Sequence, residues 1–276
     1  MHATILKYAD DVKVICSLSS NENHKALQAD LDRLSDWSKQ WLLNFNLGKC
    51  RVMHFGSNDT NDELFLNKSL PSVVSSECDL GVFVTKDLKP SLQCLKAAAS
   101  AQRILNMIRL SFRHLDIASL SQIYKTIVRP RLEFCIPAWC PYLQKDICVL
   151  EKVQRRATRF FPQLRGLSYR DRLAHFNLTS LSTRRLRFDL LTAFKVLRGF
   201  TDLSPDTFFS PATCSITRGH SMKLTVHFSR LSCRRSFFSQ RVVEWWNRLP
   251  EDCVSAPSVS SFKFRLDLFL KHSDLW

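Results

Sequence analysis

The sequence is poor in what flexible, fibrous and membrane-spanning chains are made of. It has only 6 Gly and 10 Pro in 276 residues, which excludes collagen-like and low-complexity classes. No apolar run approaches the roughly 18 residues of a bilayer-spanning helix, and no secretory signal is recognisable. No internal repeat is present, no Cys-x-x-Cys pair occurs and no His pair stands at finger spacing, so zinc has no framework here. The 10 Cys are irregularly spaced, with Cys135, Cys140 and Cys148 the nearest to a cluster. They read as reduced, mostly core thiols of an intracellular protein, nuclear or cytoplasmic, not a secreted one. What remains is 45% hydrophobic residues, enough for a core in one large domain or two ordinary ones.

Acidic residues are also scarce, and unevenly so. Lys and Arg total 40 against 25 Asp and Glu, a formal charge of +15. Residues 1–100 hold 11 basic and 12 acidic residues, whereas residues 101–276 hold 29 and 13. Between Glu151 and Arg198 there are 12 basic residues and 3 acids. Such a concentration repels itself and is most simply neutralised by a polyanion such as nucleic acid.

Hydrophobic periodicity divides the chain in the same place. From Ala3 to Leu18 two β-branched runs flank Ala9-Asp10-Asp11, which predicts a β-hairpin. Leu27, Leu31, Leu34, Trp37 and Trp41 predict an amphipathic helix over about residues 24–42. Cys50–Phe55, Glu63–Leu66 and Leu80–Val84 read as short strands. Beyond Pro90 the spacing becomes helical: helices are expected around Leu92–Ile108, Leu120–Val128 (ended by Arg129-Pro130), Ile147–Ala157 and Leu186–Leu197. A Ser-, Thr-, Pro- and Arg-rich stretch follows over residues 201–235, with a short strand at Lys223–Phe228, before helices at Phe237–Trp246 and Phe262–Leu270. The expected class is α+β: an α+β part over residues 1–90, a basic helical part over 91–200 and a loop-rich, helical tail over 201–276.

Asp10 and Asp11 carry the clearest chemistry. Adjacent carboxylates at a hairpin tip direct hard oxygens into one small volume, which suits Mg²⁺, although turns also use Asp for local backbone bonds. Tyr8-Ala9-Asp10-Asp11 between two strands resembles the Y/F-A-D-D hairpin of reverse transcriptases. The segments that follow, LQADLDRLSDWSKQW, LNFNLGKCRVMHFG, DLGVFVTKDL, RPRLEFCIPAWCP, LEKVQRRATRFF, LSYRDRLAHFNLTSLSTRRLRFDLL and FFSQRVVEWWNRLPEDCVSAPSVSSFKFRLD, are similar in order to the polymerase of jockey-like, LINE-type non-LTR retrotransposons. They resemble its distal palm, thumb and carboxy-terminal tail, over nearly the whole chain.

The resemblance implies an RNA-directed DNA polymerase using two Mg²⁺ ions, an RNA template, an RNA–DNA or DNA primer duplex and deoxynucleoside triphosphates, with no membrane partner. It makes Asp10 and Asp11 metal ligands, places Tyr8 beneath the primer end or incoming nucleotide, and gives Lys49 the leaving phosphate, where a solvated turn lysine is the other reading. Leu80-Gly81-Val82 resembles the primer-grip turn, unless Gly81 merely relieves a strand end. Arg155, Arg156, Arg159, Arg184, Arg185 and Arg187 become candidates for phosphate contacts. Trp245, Trp246, Phe237 and Phe238 stand at helical spacing and read as core rather than as base-stacking side chains. The family's fingers, proximal palm and first catalytic aspartate have no counterpart in these residues. The expectation is therefore a chain that does not polymerise alone. Two other readings stand beside it: a basic module binding RNA or RNA–DNA hybrid without catalysis, and a non-functional mobile-element relic.

Overall fold

The computed structural model describes residues 3–18, 20–56, 63–112, 114–212 and 219–272. The chain is mixed α+β and divides into two compact units, one comprising Met1–Asp79 and Val84–Leu88, the other Leu80–Phe83 and Lys89–Trp276.

The first unit opens with strands β1 (Thr4–Tyr8) and β2 (Asp11–Ile15), antiparallel in the register Tyr8↔Asp11 to Thr4↔Ile15. Side chains alternate faces along a strand, so Val14 turns onto a small cluster with buried Ala3, Leu27 and Leu64. The opposite face carries Leu6, Tyr8, Asp11, Lys13 and Ile15, with Lys13 paired to Asp79. Helix α1 (Asn21–Gln40) is capped by Ser20, whose hydroxyl accepts from the Asn23 N–H at 3.3 Å, the usual way to satisfy a first-turn donor.

The buried stripe of α1 departs from the expected one. Leu27, Asp30, Ser35 and Ser38 face inward, while Trp37 and Trp41 are 44% and 62% exposed. The buried polar groups are occupied by loop backbone: Asp30 accepts from the Ala3 N–H at 3.0 Å, Ser35 accepts from the Asn67 N–H at 3.2 Å, and Ser38 donates to the Leu43 carbonyl. Those bonds offset the cost of burying the groups and select this face over the tryptophan face.

The short strands are also shorter than expected. Strand β3 (Arg51–Val52) pairs in parallel with β4 (Ser72–Val73), and residues 63–66 give only a bridge between Leu66 and Ser69. Strands β5 (Ser76–Asp79) and β6 (Val82–Thr85) form a hairpin that contains the boundary between the units.

The second unit is helical. It runs through α2 (Ser91–Ser111), α3 (Ile117–Ile123), α4 (Arg129–Glu133), α5 (Ile136–Trp139), α6 (Gln144–Ala157), α7 (Tyr169–His175), α8 (Leu181–Leu197), α9 (Pro205–Phe208), α10 (Ser232–Arg235), α11 (Phe238–Asn247), α12 (Glu251–Val254) and α13 (Val259–His272). At Lys223–Phe228 the expected strand reduces to one bridge, Pro211 to Leu224.

Pro130 does not end its helix as expected. A π turn over Tyr124–Val128 joins α3 to α4, and the Arg129 N–H bonds to the carbonyl of Tyr124. A π turn widens the ladder by one residue, which admits a residue with no N–H of its own. It also keeps Tyr124 buried, its hydroxyl donating to Gln154 Oε1 at 2.9 Å.

Two apolar clusters fill this unit. The first includes Leu105, Leu120, Tyr124, Leu132, Ile136 and Leu150, the second Phe194, Val242, Trp246, Phe262 and Leu266. Helix α8 contributes Leu181 to the first and Leu190 to the second. Where they meet, Asp189 accepts two bonds from Arg241, at 2.8 and 2.7 Å. Arg241 also donates to the carbonyls of Ser236 and Pro137 at 2.9 and 3.1 Å, so one guanidinium ties α5, α8 and α11 together. Burial pushes the Asp189 carboxyl up even against the pull of Arg241, a sign of how much solvation the pair gives up. Removing one partner of a buried pair strands the other. Arg241→Ala is therefore expected to lower stability by roughly 3–5 kcal/mol in denaturant unfolding, and a loss below about 1 kcal/mol, the range of exposed pairs, would show that the pair does not carry the junction.

Candidate functional site

At the tip of the first hairpin, Ala9 and Asp10 form a two-residue loop between paired Tyr8 and Asp11. Ala9 takes φ 53°, a left-handed conformation that costs a residue with a Cβ about 1–2 kcal/mol. Tyr8, Asp10 and Asp11 are all exposed, Tyr8 by 67%, so the hairpin brings these three together in solvent. Lys49 lies in another exposed turn, where its backbone N–H donates to the Asn46 carbonyl at 2.9 Å. Among the described residues, no group of three His, Cys, Asp or Glu side chains assembles as a metal site. Two adjacent carboxylates nevertheless fit one Mg²⁺ of the kind that keeps several waters and takes its remaining ligands from a phosphate substrate.

The Leu80-Gly81 turn has φ of 47° and 82°. Two-residue hairpin loops of one common type need positive φ at both central positions. A Cβ on Gly81 would also stand 3.2 Å from Phe134 Cε1. Leu80 is half exposed, and Val82 packs on the first apolar cluster of the second unit.

The six candidate arginines separate into two groups. Arg184 pairs with Glu133, one bond measuring 2.8 Å, and Arg187 holds Asp267 at 2.6 and 3.0 Å. Arg185 is 4% exposed and donates to Ser182 at 2.8 Å. These three guanidiniums are engaged with protein partners, whereas the expected phosphate contacts call for cations left open to solvent. Arg155, Arg156 and Arg159 are exposed and line one groove of about 1060 Å³ between α2 and α6.

The same groove collects Arg109, Lys152 and Arg165, three cations missed in the sequence. The four-residue spacing of Lys152 to Arg156 puts that pair on one face of α6, a signal that finds Lys152; no local pattern finds Arg109 or Arg165. Glu151 is the sole acid of the lining, and it is turned to structural use. It accepts from the Leu181 N–H at 3.3 and 3.2 Å, at the start of α8, and from the Tyr169 hydroxyl. Burial, then Glu151, pushes the Tyr169 hydroxyl well above its ordinary range, keeping it a neutral donor. Gln154, fully buried, donates to the Tyr169 hydroxyl at 3.0 Å and to the Thr179 carbonyl at 2.9 Å.

This polar floor fixes the cations above it. Arg155 lies 4.8 Å over the Tyr169 ring, and Arg156 donates to Asn106 Oδ1 on α2 at 3.0 Å. Six cations facing one groove, with the lone carboxylate spent on a helix start, match the spaced negative charge of a sugar-phosphate chain. The four aromatics set aside as core divide: Phe238 and Trp246 are buried, Trp245 is intermediate, and Phe237 is 39% exposed.

No family model, no curated protein and no solved structure matches this chain. No helix among the described residues is long and apolar enough to cross a membrane.

Cys148 is an exposed thiol in the groove wall, whereas burial pushes the thiol of fully buried Cys94 up to about 12. Thiolate is the reactive form. Mild alkylation of the native protein at pH 8 is expected to modify Cys148 and spare Cys94, and an added RNA–DNA duplex is expected to slow Cys148 alone among the exposed thiols, as read by peptide mass spectrometry. Equal rates with and without duplex would remove the ligand from this groove.

Proposed function

We propose that the chain carries the distal palm, thumb and tail of a reverse transcriptase of jockey-like, LINE-type non-LTR retrotransposons, and that its biochemical role is to hold template–primer nucleic acid. The observation that carries the binding role is the α2–α6 groove, with six cations and no outward-facing acid. The polymerase assignment is supported by the ordered motifs and by the Tyr8-Ala9-Asp10-Asp11 segment, whose two carboxylates stand at the tip of a two-residue hairpin. Asp10 and Asp11 would hold Mg²⁺, which in nucleotidyl transfer lowers the barrier by neutralising charge on the reacting phosphates. Tyr8, paired across the strands with Asp11, offers a ring face beside the carboxylates for a sugar or base. Leu80-Gly81-Val82 brings backbone to the surface without a side chain at Gly81 and is proposed to border the primer.

A second reading, a binding module without catalysis, is favoured by the hairpin itself. Its two exposed carboxylates are joined by no third ligand among the described residues, so they offer a pair of ions too few oxygens.

The test is binding of the purified chain to an RNA–DNA primer duplex over a salt series, with Mg²⁺ and deoxynucleoside triphosphates present to score extension. Each phosphate neutralised contributes about −0.9 to the slope of log affinity against log salt, so a slope of about −3 to −5 is expected from the groove. Arg155→Ser with Arg156→Ser should reduce that slope by about 2, whereas Arg187→Ser should leave it unchanged. Binding without extension is expected. Extension that Asp10→Asn abolishes would overturn the non-catalytic part of the proposal, and a salt-independent affinity would overturn the binding role.

A further inference from the structure

We infer that residues 226–237 form a second binding surface, a ledge for single-stranded nucleic acid, separate from the α2–α6 groove and not dependent on the polymerase assignment. Phe228 is 91% exposed, Leu231 68%, Val226 60% and Phe237 39%. Single exposed apolar residues are ordinary, but a run of them along one segment marks an interaction surface.

The segment is held outward rather than left to collapse. The Thr225 N–H donates to the Ser210 carbonyl at 2.8 Å, the Thr225 hydroxyl donates to the Pro211 carbonyl at 3.0 Å, and His227 hydrogen-bonds the Ser210 hydroxyl at 3.1 Å. From Leu231 the chain enters α10, and the Arg234 guanidinium lies 5.5 Å over the Phe237 ring. These bonds fix the backbone on the approach to Phe228, and Arg234 holds one face of Phe237, which reduces what must be ordered on binding.

The charge names the ligand. No acidic residue occurs between Asp206 and Glu244, a stretch that contains six Lys and Arg. Of these, Arg230, Arg234 and Arg235 are exposed among the rings, whereas Arg241 is spent on Asp189. Two rings, Phe228 and Phe237, set among these cations are what a single strand needs, since bases stack on the aromatic faces while phosphates meet the guanidiniums. A membrane surface asks instead for a long helix with one apolar face, and α10 spans only Ser232–Arg235. A duplex stacks its base faces on one another, so the rings select unpaired bases.

The experiment compares two probes of equal length and charge, an oligothymidylate and an abasic oligonucleotide, by fluorescence anisotropy with the full chain. Phe228→Ala should weaken oligothymidylate binding about tenfold, the size of one lost stacking contact, and leave abasic binding unchanged. Arg230→Ser with Arg234→Ser should weaken both. Because Phe228 is exposed, its substitution is expected to leave the melting midpoint unchanged, which separates a lost contact from a lost fold. Phe228→Ala with no effect on either probe, or an equal effect on both, would overturn the ledge. So would loss of anionic-vesicle capture with oligonucleotide binding intact, which would assign the surface to lipid. The two sites fail separately: Arg155→Ser with Arg156→Ser tests the groove, while the difference between the two probes reads the ledge alone.

Discussion

Helix α8 is an ionic spine, and the second unit depends on how it spends its charge. Arg184 reaches Glu133 on α4, Arg187 reaches Asp267 on α13, and Asp189 receives Arg241 from α11. Each pair ties α8 to a different element. The Asp189–Arg241 pair is the most demanding, since both side chains are largely withdrawn from water and the leftover guanidinium donors must find carbonyls. Buried pairs of this kind contribute little net stability against an apolar replacement, yet breaking one is costly. Their effect here is positional: they fix which helix meets which, while Glu151, bonded to the start of α8, forms the floor of the groove.

That arrangement explains why some of the structure was readable in the sequence and some was not. The hairpin was readable because β-branched runs and an Asp-rich turn leave few alternatives, and the long helices because their apolar spacing is sustained over several turns. The fate of each arginine was not. Composition counts charges in Arg184, Arg185 and Arg187 as it does in Arg155, Arg156 and Arg159, but tertiary partners 51 and 80 residues away engage Arg184 and Arg187, and burial of its face of α8 engages Arg185. The passage through Pro130 was hidden for a similar reason. A π turn is chosen by the burial of Tyr124 and its bond to Gln154, neither of which is local to the proline. The tryptophans of α1 misled because large apolar size outweighs Ser35 and Ser38 in any periodicity, whereas loop backbone donors and acceptors outweighed it in the fold.

Arginine thus does two jobs in one unit, and dielectric environment separates them. Beside Glu133 and Asp267 each guanidinium has exchanged water for a carboxylate in fixed bidentate or forked geometry, which suits specification of a fold. In the groove and along the ledge the guanidiniums keep solvent and lie over rings at 4.8 and 5.5 Å. A solvated cation gives up little on meeting phosphate and gains by releasing counterions. Stacking on Tyr169 or Phe237 restricts where each can point without neutralising it. The proposed consequence is a surface suited to a polyanion by position and charge, with sequence preference left to whatever the rings contact.

The carboxylate hairpin completes the division of labour by charge. Residues 1–100 contain a slight excess of acids and residues 101–276 the whole basic excess, so the hairpin carboxylates and the groove cations belong to different parts of the chain. Mg²⁺ surrenders its water reluctantly and is seldom held by two exposed carboxylates alone. On the proposed reading, phosphate oxygens of a nucleic acid or nucleotide would supply the missing ligands, and the ion would offset the repulsion between those oxygens and Asp10 and Asp11. Metal and polyanion would then be thermodynamically linked, each raising the affinity for the other by the same factor. A hairpin whose carboxylates stand in solvent, on a loop strained at Ala9, is suited to that conditional binding, because it leaves open the coordination positions that the phosphate must fill.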